Sequence, residues 1–294
     1  MENRQQHRLE VLGFLKKHFP GKVGELSLPE GSGQETYFAR CGQSHYFVKL
    51  GVDTARYAAI SDLGVTPPLL AAGVLEDGTS IMVQPRLDGR HPTRKDYRDH
   101  LDAFADAIWR VHHSIAVRQA LPKVDSELYS EAGLRGVMRL RKKWAGLRER
   151  VLDQAGFVDE GLDRLEKTVS GFEGEGLAAS HNDICNANWL LTTDGRLVLL
   201  DLEMMALDDP ALDVGATLWW YIPPALRERF LMAAGYPTDE AFRERMRTRM
   251  AMHCLSIILP REQSFDRFDP AGFAEALVDF RAALAGEENP QGYD

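Results

Sequence analysis

Cysteine is scarce in this chain, and long apolar runs are missing. Cys41, Cys185 and Cys254 are its three thiols in 294 residues. They are too few and too far apart for a disulfide framework or a paired-cysteine metal site, and read as reduced thiols of a cytoplasmic protein. No run approaches the ~20 apolar residues that a membrane-crossing helix needs. The opening MENRQQHRLEVLGFLKKHF has no continuous apolar centre of signal-peptide type, so no membrane partner is expected. Leu12, Leu15 and Phe19 instead form one stripe of an amphipathic helix, stopped at Pro20-Gly21. Positive charge is also short, with 35 Lys+Arg against 44 Asp+Glu and a formal charge of −9. That balance argues against nucleic acid as the main partner and mildly favours a cationic one. Acidity that only keeps the protein soluble is the plainer reading. The one basic run, RGVMRLRKKWAGLRER, is surrounded by acids and reads as a solvated helix face, with Val137, Met138, Leu140 and Trp144 supplying packing.

What is present describes a globular protein, 44% hydrophobic and 27% charged, long enough for one large domain or two lobes. From about residue 22 to 90 the pattern is β-rich. KVGELSL, ETYFAR, HYFVKL, PLLAAGVL and SIMVQP are short strands divided by turn residues, interrupted by a helix in DTARYAAISDLG. After residue 92, Leu101, Phe104, Ile108 and Val111 recur at helical spacing, and further helices are expected near 130–170, 211–221, 224–234, 238–259 and 270–285. The fold class is α+β: a β-rich lobe over residues 1–90 and a helical lobe over 91–294, joined near Gln84–Gly89. No internal repeat is found, and the polar end GEENPQGYD is expected to fray.

The stretch SHNDICNANWLLTTDGRLVLLDLE crowds carboxylates and amides around two short apolar runs. Asp194-Gly195 signals a two-residue hairpin turn. That register pairs Trp189 with Leu200 and sets Asn188 opposite Asp201, with Asp183 five residues upstream. An amide oxygen and carboxylates gathered at one end suit a hard cation such as Mg²⁺, which shares phosphate oxygens with its substrate.

His181-x-Asp183, Asn188 and the following Asp201 together resemble the catalytic loop and metal-binding aspartate of the aminoglycoside phosphotransferase and choline kinase families, relatives of the protein kinases. HYFVKL resembles the strand that carries the nucleotide lysine, GSGQETYFA the phosphate-covering loop, and LDDPALDVG the segment after the metal site. The resemblance covers most of the chain and implies a protein-kinase-like two-lobed fold that uses ATP and Mg²⁺. Asp183 would accept the proton of a substrate hydroxyl. Asn188 and Asp201 would hold Mg²⁺, and Lys49 would face the α- and β-phosphates. Backbone groups around Ser32 and Gly33 would cover the phosphates, and those near Gln84 and Arg86 would meet the adenine edge. His181 is expected to support the loop, and Asp213 to act as scaffold or only as a helix N-cap. Trp219, Trp220 and Tyr221 could box a quaternary ammonium by cation–π attraction, or equally be core. Glu203 could reach the metal or a substrate amine, or lie on the surface.

Two departures from the family pattern stand out. The helix after the lysine strand offers only Asp53 and Asp62 where the family usually supplies a Glu to pair with the lysine. Trp220 replaces the substrate-side Glu of choline kinases, although HND and DLE are closer to those enzymes than the commoner HGD and DW forms. The leading expectation is a kinase acting on a hydroxyl of a small cationic molecule of the choline, ethanolamine or thiamine kind. An aminoglycoside-type antibiotic comes second. A nucleotide-binding scaffold without turnover is motivated by the missing helix Glu. A metallohydrolase using His181, Asp183 and Asp201 would need further ligands nearby.

Overall fold

The structure is a computed structural model and describes residues 2–19, 23–28, 35–260 and 268–293. Ser32 and Gly33 lie outside the described residues. The α+β, kinase-like architecture holds: a small antiparallel sheet is followed by a large helical portion. The chain divides into two compact units. One comprises residues 1–91, 115–120 and 187–204, the other residues 92–114, 121–186 and 205–294.

The first unit opens with α1 (Glu2–His18), and its sheet is built from β1 (Val23–Ser27), β2 (Thr36–Cys41), β3 (Ser44–Leu50), β4 (Ala71–Val74) and β5 (Ser80–Pro85). The spatial order is β1-β2-β3-β5-β4, all antiparallel. Alternation decides which face each residue takes. Tyr37 pairs with Val48, and Val48 with Val83; all three are buried, and α1 adds Val11 and Leu15 to that core. Gly73 on β4 has no room for a side chain, because a Cβ there would meet the Phe14 ring of α1 at 2.7 Å. Lys49, one residue on from Val48, pairs with Thr36 and Met82 on the opposite face. The helix α2 (Thr54–Ser61) follows, capped by Asp53, which accepts from the N–H groups of Ala55 (3.1 Å) and Arg56 (3.2 Å).

The hairpin around Asp194-Gly195 belongs to this unit, as β8 (Trp189–Thr192) and β9 (Leu197–Leu199), with β6 (Gly89–Arg90) on its outer edge. Its register differs from the expected one. Trp189 pairs with Leu199 rather than Leu200, and Leu191 with Leu197. The Thr192 N–H donates to the Arg196 carbonyl (2.8 Å) and the Gly195 N–H to the Thr192 carbonyl (2.9 Å), closing a three-residue loop with Gly195 at φ 82°. The cause is Thr192: its hydroxyl accepts the Arg196 N–H (2.9 Å) and contacts the Asp194 carboxylate, which selects the longer loop. The strand ladder therefore sets Asn188 against Leu200, whose N–H donates to the Asn188 carbonyl at 2.8 Å. Asp201 is turned by its own left-handed backbone, φ 55°, instead.

The second unit is mainly helical: α3 (Arg94–Asp99), α4 (Leu101–His112), α6 (Tyr129–Ala145), α7 (Leu152–Ser170), α8 (Ala211–Tyr221), α9 (Pro224–Ala233), α10 (Glu240–Ile258) and α11 (Pro270–Ala285). The helix α5 (Ile115–Ala120) falls in the first unit. A two-stranded ribbon of β7 (Ala178–Ser180) and β10 (Ala206–Asp208) carries the loop that begins at His181. The stretch expected as helix near 130–170 is two helices, broken after Gly146. On α6, Val137, Leu140 and Trp144 are buried as expected, but Met138 is exposed. Arg141 pairs with Asp163 and Glu166, which accounts for part of the basic run as solvated ion pairs.

Glu287, Glu288 and Gln291, in the polar segment expected to fray, are tied back to the helical unit. Trp219 donates its indole N–H to the Glu287 carbonyl (3.1 Å), Arg227 holds Glu288 (3.0 Å), and Arg94 donates to the Gln291 carbonyl (3.3 Å). These partners lie far back in the sequence, so the polar composition of the tail did not disclose them.

Candidate active site

In the first unit, Lys49 is nearly buried, and its ammonium stands 3.2 Å from Asp201 Oδ1 while also contacting Glu203 Oε1. Tyr57, on α2, donates its hydroxyl to the same Glu203 oxygen at 2.8 Å. Arg56 donates to the carbonyls of Leu202 (3.0 Å) and Glu203 (3.1 Å). The N-cap Asp53 and the C-cap Asp62 serve their helix ends. The acid beside the lysine is thus Glu203, which the sequence reading left between metal, substrate and surface. The strand end is fixed from below as well: the Leu199 N–H donates to the Val65 carbonyl (2.7 Å), and the Thr66 hydroxyl to the Leu199 carbonyl (2.8 Å).

Two carboxylates share one ammonium here. Burial first, then the neighbouring Asp201 carboxylate, pushes the Glu203 carboxyl above its ordinary value, with Lys49 opposing. Burial and the Glu203 charge push the Tyr57 hydroxyl up. Among the described residues, Glu203 Oε2 is buried with no hydrogen-bond partner. An orphaned buried carboxylate oxygen beside a second carboxylate fits a hard divalent cation: the all-oxygen donor set suits Mg²⁺, and added positive charge would relieve the repulsion. Asn188, buried at the start of β8, adds an amide to the unit's polar groups.

Along the stretch whose backbone is expected to meet the adenine edge, the side chains and the Arg86 N–H have partners within the unit. Gln84 is buried, with its side-chain amide donating to the Pro67 carbonyl at 2.7 Å. The Arg86 N–H goes to the His45 carbonyl (2.9 Å), and its guanidinium lies 4.1 Å above the Phe38 ring.

In the second unit, Asp213 organises the loop after β7. Its carboxylate, 1% exposed as a residue, accepts the backbone N–H of His181 (2.6 Å) and of Asn182 (2.9 Å). His112 Nε2 lies 2.9 Å from Asp213 Oδ2, and its Nδ1 meets the Tyr236 hydroxyl. Burial raises the Asp213 carboxyl, but the His112 bond, the His112 and His181 charges and the backbone N–H outweigh it and hold the group below the ordinary carboxylate value. Asp213 is not an N-cap: it lies inside α8, with Pro210 at the cap. Asn182 has φ 64°, a left-handed conformation that Asn tolerates better than most residues, which gives a reason for Asn or Gly before the aspartate. Asp183 follows, partly exposed, on a loop whose backbone is thereby fixed.

Of the three aromatic residues of α8, Trp219 and Trp220 meet edge to face, 4.7 Å between ring centroids, while Tyr221 turns to other partners. At 100° per residue, Asp213, Thr217, Trp220 and Tyr221 share one side, and Gly215, Leu218 and Trp219 the other. Tyr221 accepts the Asn186 N–H at 2.9 Å and stacks on Tyr97 (4.3 Å), which stacks on Phe104 (4.0 Å). Burial, more than its neighbours, pushes the Tyr221 hydroxyl up to about 12. The Trp220 carbonyl accepts from Arg94 Nε at 3.3 Å. Trp219 instead lines a separate cavity of about 370 Å³ with Leu231, Met246 and Met250. A box of all three rings is not formed, because consecutive helical residues cannot face one point. Tyr57, His112, Tyr97 and Tyr236 escaped the sequence reading, and none of them sits in a local pattern that marks it.

This combination of a lysine-bearing sheet, a loop braced by a buried aspartate and a carboxylate pair defines a kinase-like phosphotransferase. A profile of the Phosphotransferase enzyme family matches residues 27–247, and the chain belongs to that family. Solved structures agree in fold. Choline kinase LicA from Streptococcus pneumoniae is 16% identical with a TM-score of 0.68, over 95% of this chain and 99% of that one. Choline kinase from Cryptosporidium parvum Iowa II is 15% identical with a TM-score of 0.69, over 94% of each chain. The AMP-bound spectinomycin phosphotransferase APH(9)-Ia is 14% identical with a TM-score of 0.67, over 95% and 99%.

Proposed function

We propose that the protein is an ATP- and Mg²⁺-dependent kinase that phosphorylates a hydroxyl of a small cationic molecule, an amino alcohol of the choline, ethanolamine or thiamine kind. The observation that carries this reading is the Lys49–Asp201–Glu203 cluster with its orphaned Glu203 oxygen. Two structural relatives support a nucleotide: spectinomycin phosphotransferase with ADP and spectinomycin, and APH(2")-IIIa with GDP and kanamycin. Among the described residues, no group of three or more His, Cys, Asp or Glu is placed to hold a metal. That counts against the metallohydrolase alternative.

Asp183 accepts the hydrogen bond of the acceptor hydroxyl and orients its oxygen toward the γ-phosphorus. As the new P–O bond forms, the hydroxyl proton passes to Asp183, and the bond to the bridging oxygen of ADP breaks. Asp213 keeps the Asp183 loop in one conformation through the His181 and Asn182 N–H groups. Lys49 supplies a point charge to the α- and β-phosphates. Asn188, Asp201 and Glu203 would hold Mg²⁺, which supplies neutralisation of the triphosphate charge. With Glu203 engaged at Lys49, recognition of an acceptor cation falls to the aromatic faces of Trp220 and Tyr221. An aminoglycoside is the second acceptor class, in keeping with the spectinomycin and kanamycin in the names of two relatives.

The test separates the two kinds of residue. Asp183→Asn should still bind Mg·ATP, with kcat down by about 10²-fold or more for loss of a positioned base. Asp201→Ala should lose Mg²⁺-dependent nucleotide binding. Calorimetry with Mg·ATP, plus ATP consumption against a panel of amino alcohols, vitamins and aminoglycosides, reads both. The roles are wrong if Asp183→Asn abolishes binding while Asp201→Ala keeps binding and turnover.

A further inference from the structure

The helix α2 has no acid for Lys49, yet it is not disconnected from it. Its Tyr57 is almost fully buried, and the hydroxyl is aimed at Glu203 Oε1, the oxygen that also meets Lys49. The preceding residue, Arg56, grips the two carbonyls on either side of the Leu202–Glu203 step. One turn of helix therefore fixes both the backbone and the carboxylate of the residue that holds the lysine. The segment after α2 is tied to β9 through Val65 and Thr66, so the helix and the Asp201–Glu203 segment are held together at two places.

We infer that Tyr57 is a positioning residue, acting through Glu203 to place Lys49, so that a hydroxyl–carboxylate relay does the work of an acid on the helix. This rests on the kinase reading above. Without the Tyr57 hydroxyl, Glu203 Oε1 would keep only the lysine as a partner among the described residues. The carboxylate could then rotate, and Lys49 would be shared between Glu203 and the more exposed Asp201. A lysine that samples two positions meets the phosphates less often in the productive one. A packing role for the Tyr57 ring alone would be indifferent to the hydroxyl.

The test is a double-mutant cycle on the full chain, read by calorimetry of Mg·ATP binding. Tyr57→Phe keeps the ring and should raise Kd about 3- to 10-fold, less than a charged hydrogen bond can carry when lost outright. The melting temperature should change little. Glu203→Gln should raise Kd by about 10-fold or more. In the Glu203→Gln background, Tyr57→Phe should add nothing, because the relay is already cut. An unchanged Kd in Tyr57→Phe overturns the inference, as do losses that add fully in the double variant. Wild-type protein that binds no Mg·ATP overturns the kinase reading and the inference together. Binding that is intact but insensitive to Tyr57→Phe overturns the inference alone.

Discussion

Replacing Asp213 by Ala should both destabilise the helical unit and release the loop that begins at His181. The carboxylate accepts two backbone N–H groups, from His181 at 2.6 Å and Asn182 at 2.9 Å, and meets His112 at 2.9 Å. The His181 and His112 contacts are buried and the Asn182 contact is partly so, which leaves these donors largely without a substitute. Each stranded buried donor costs about 1–3 kcal/mol, so the three together cost roughly 3–9 kcal/mol. For a unit of this size that corresponds to a melting temperature lower by about 10 °C or more. Asp213→Asn should cost roughly half as much, since its amide oxygen still accepts one N–H while its NH₂ faces another donor. Scanning fluorimetry on both variants, with turnover measured well below their melting points, gives the comparison. An Asp213→Ala protein that melts within about 2 °C of wild type and keeps full turnover would refute the reasoning, because it would mean that the loop holds its shape without the carboxylate.

The remaining predictions concern single residues. Asn182→Ala should lose about 1–2 kcal/mol and turnover with it, because φ is 64° there, while Asn182→Gly should be close to neutral; melting and kcat decide. His7 lies between Glu35 and Asp77, 2.8 Å from each, and the Asp77 and Glu35 hydrogen bonds raise its pKa above 6.5, against the cost of burial. Its stabilising contribution is therefore complete below pH 6.5 and lost as pH rises through the raised value. Melting temperature should fall across that window, and His7→Gln should flatten this part of the profile. Asp77, held down to about 2 chiefly by the His7 bond, adds a loss only in strong acid.

The β lobe was legible because short apolar and β-branched runs are divided by turn residues, and Tyr37, Val48 and Val83 pair across neighbouring strands on one buried face. The candidate loop stood out because its acids and amides sit within a few residues of one another. The hairpin register was not. Asp194-Gly195 suits a two-residue turn, but one hydroxyl, on Thr192, selects a three-residue loop and moves every pair by one. The α8 aromatics were ambiguous for a related reason: ALDVGATLWWY is apolar nearly all round, so no stripe says which ring faces which side. The Lys49–Glu203 and Tyr57–Glu203 contacts join residues about 150 positions apart, beyond any local pattern.

That last pairing bears on how relatives of this chain are sorted. A search for the acid on the helix after the lysine strand would set this protein among degenerate enzymes, since Asp53 and Asp62 only cap α2. The charge is nonetheless beside the lysine, brought by Glu203 and anchored by a tyrosine where the helix acid is absent. In an alignment, the tyrosine at position 57 and the glutamate at position 203 should vary together. Lineages that keep an acid on the helix are released from that constraint, so an empty column on α2 marks a relocated partner before it marks a lost activity.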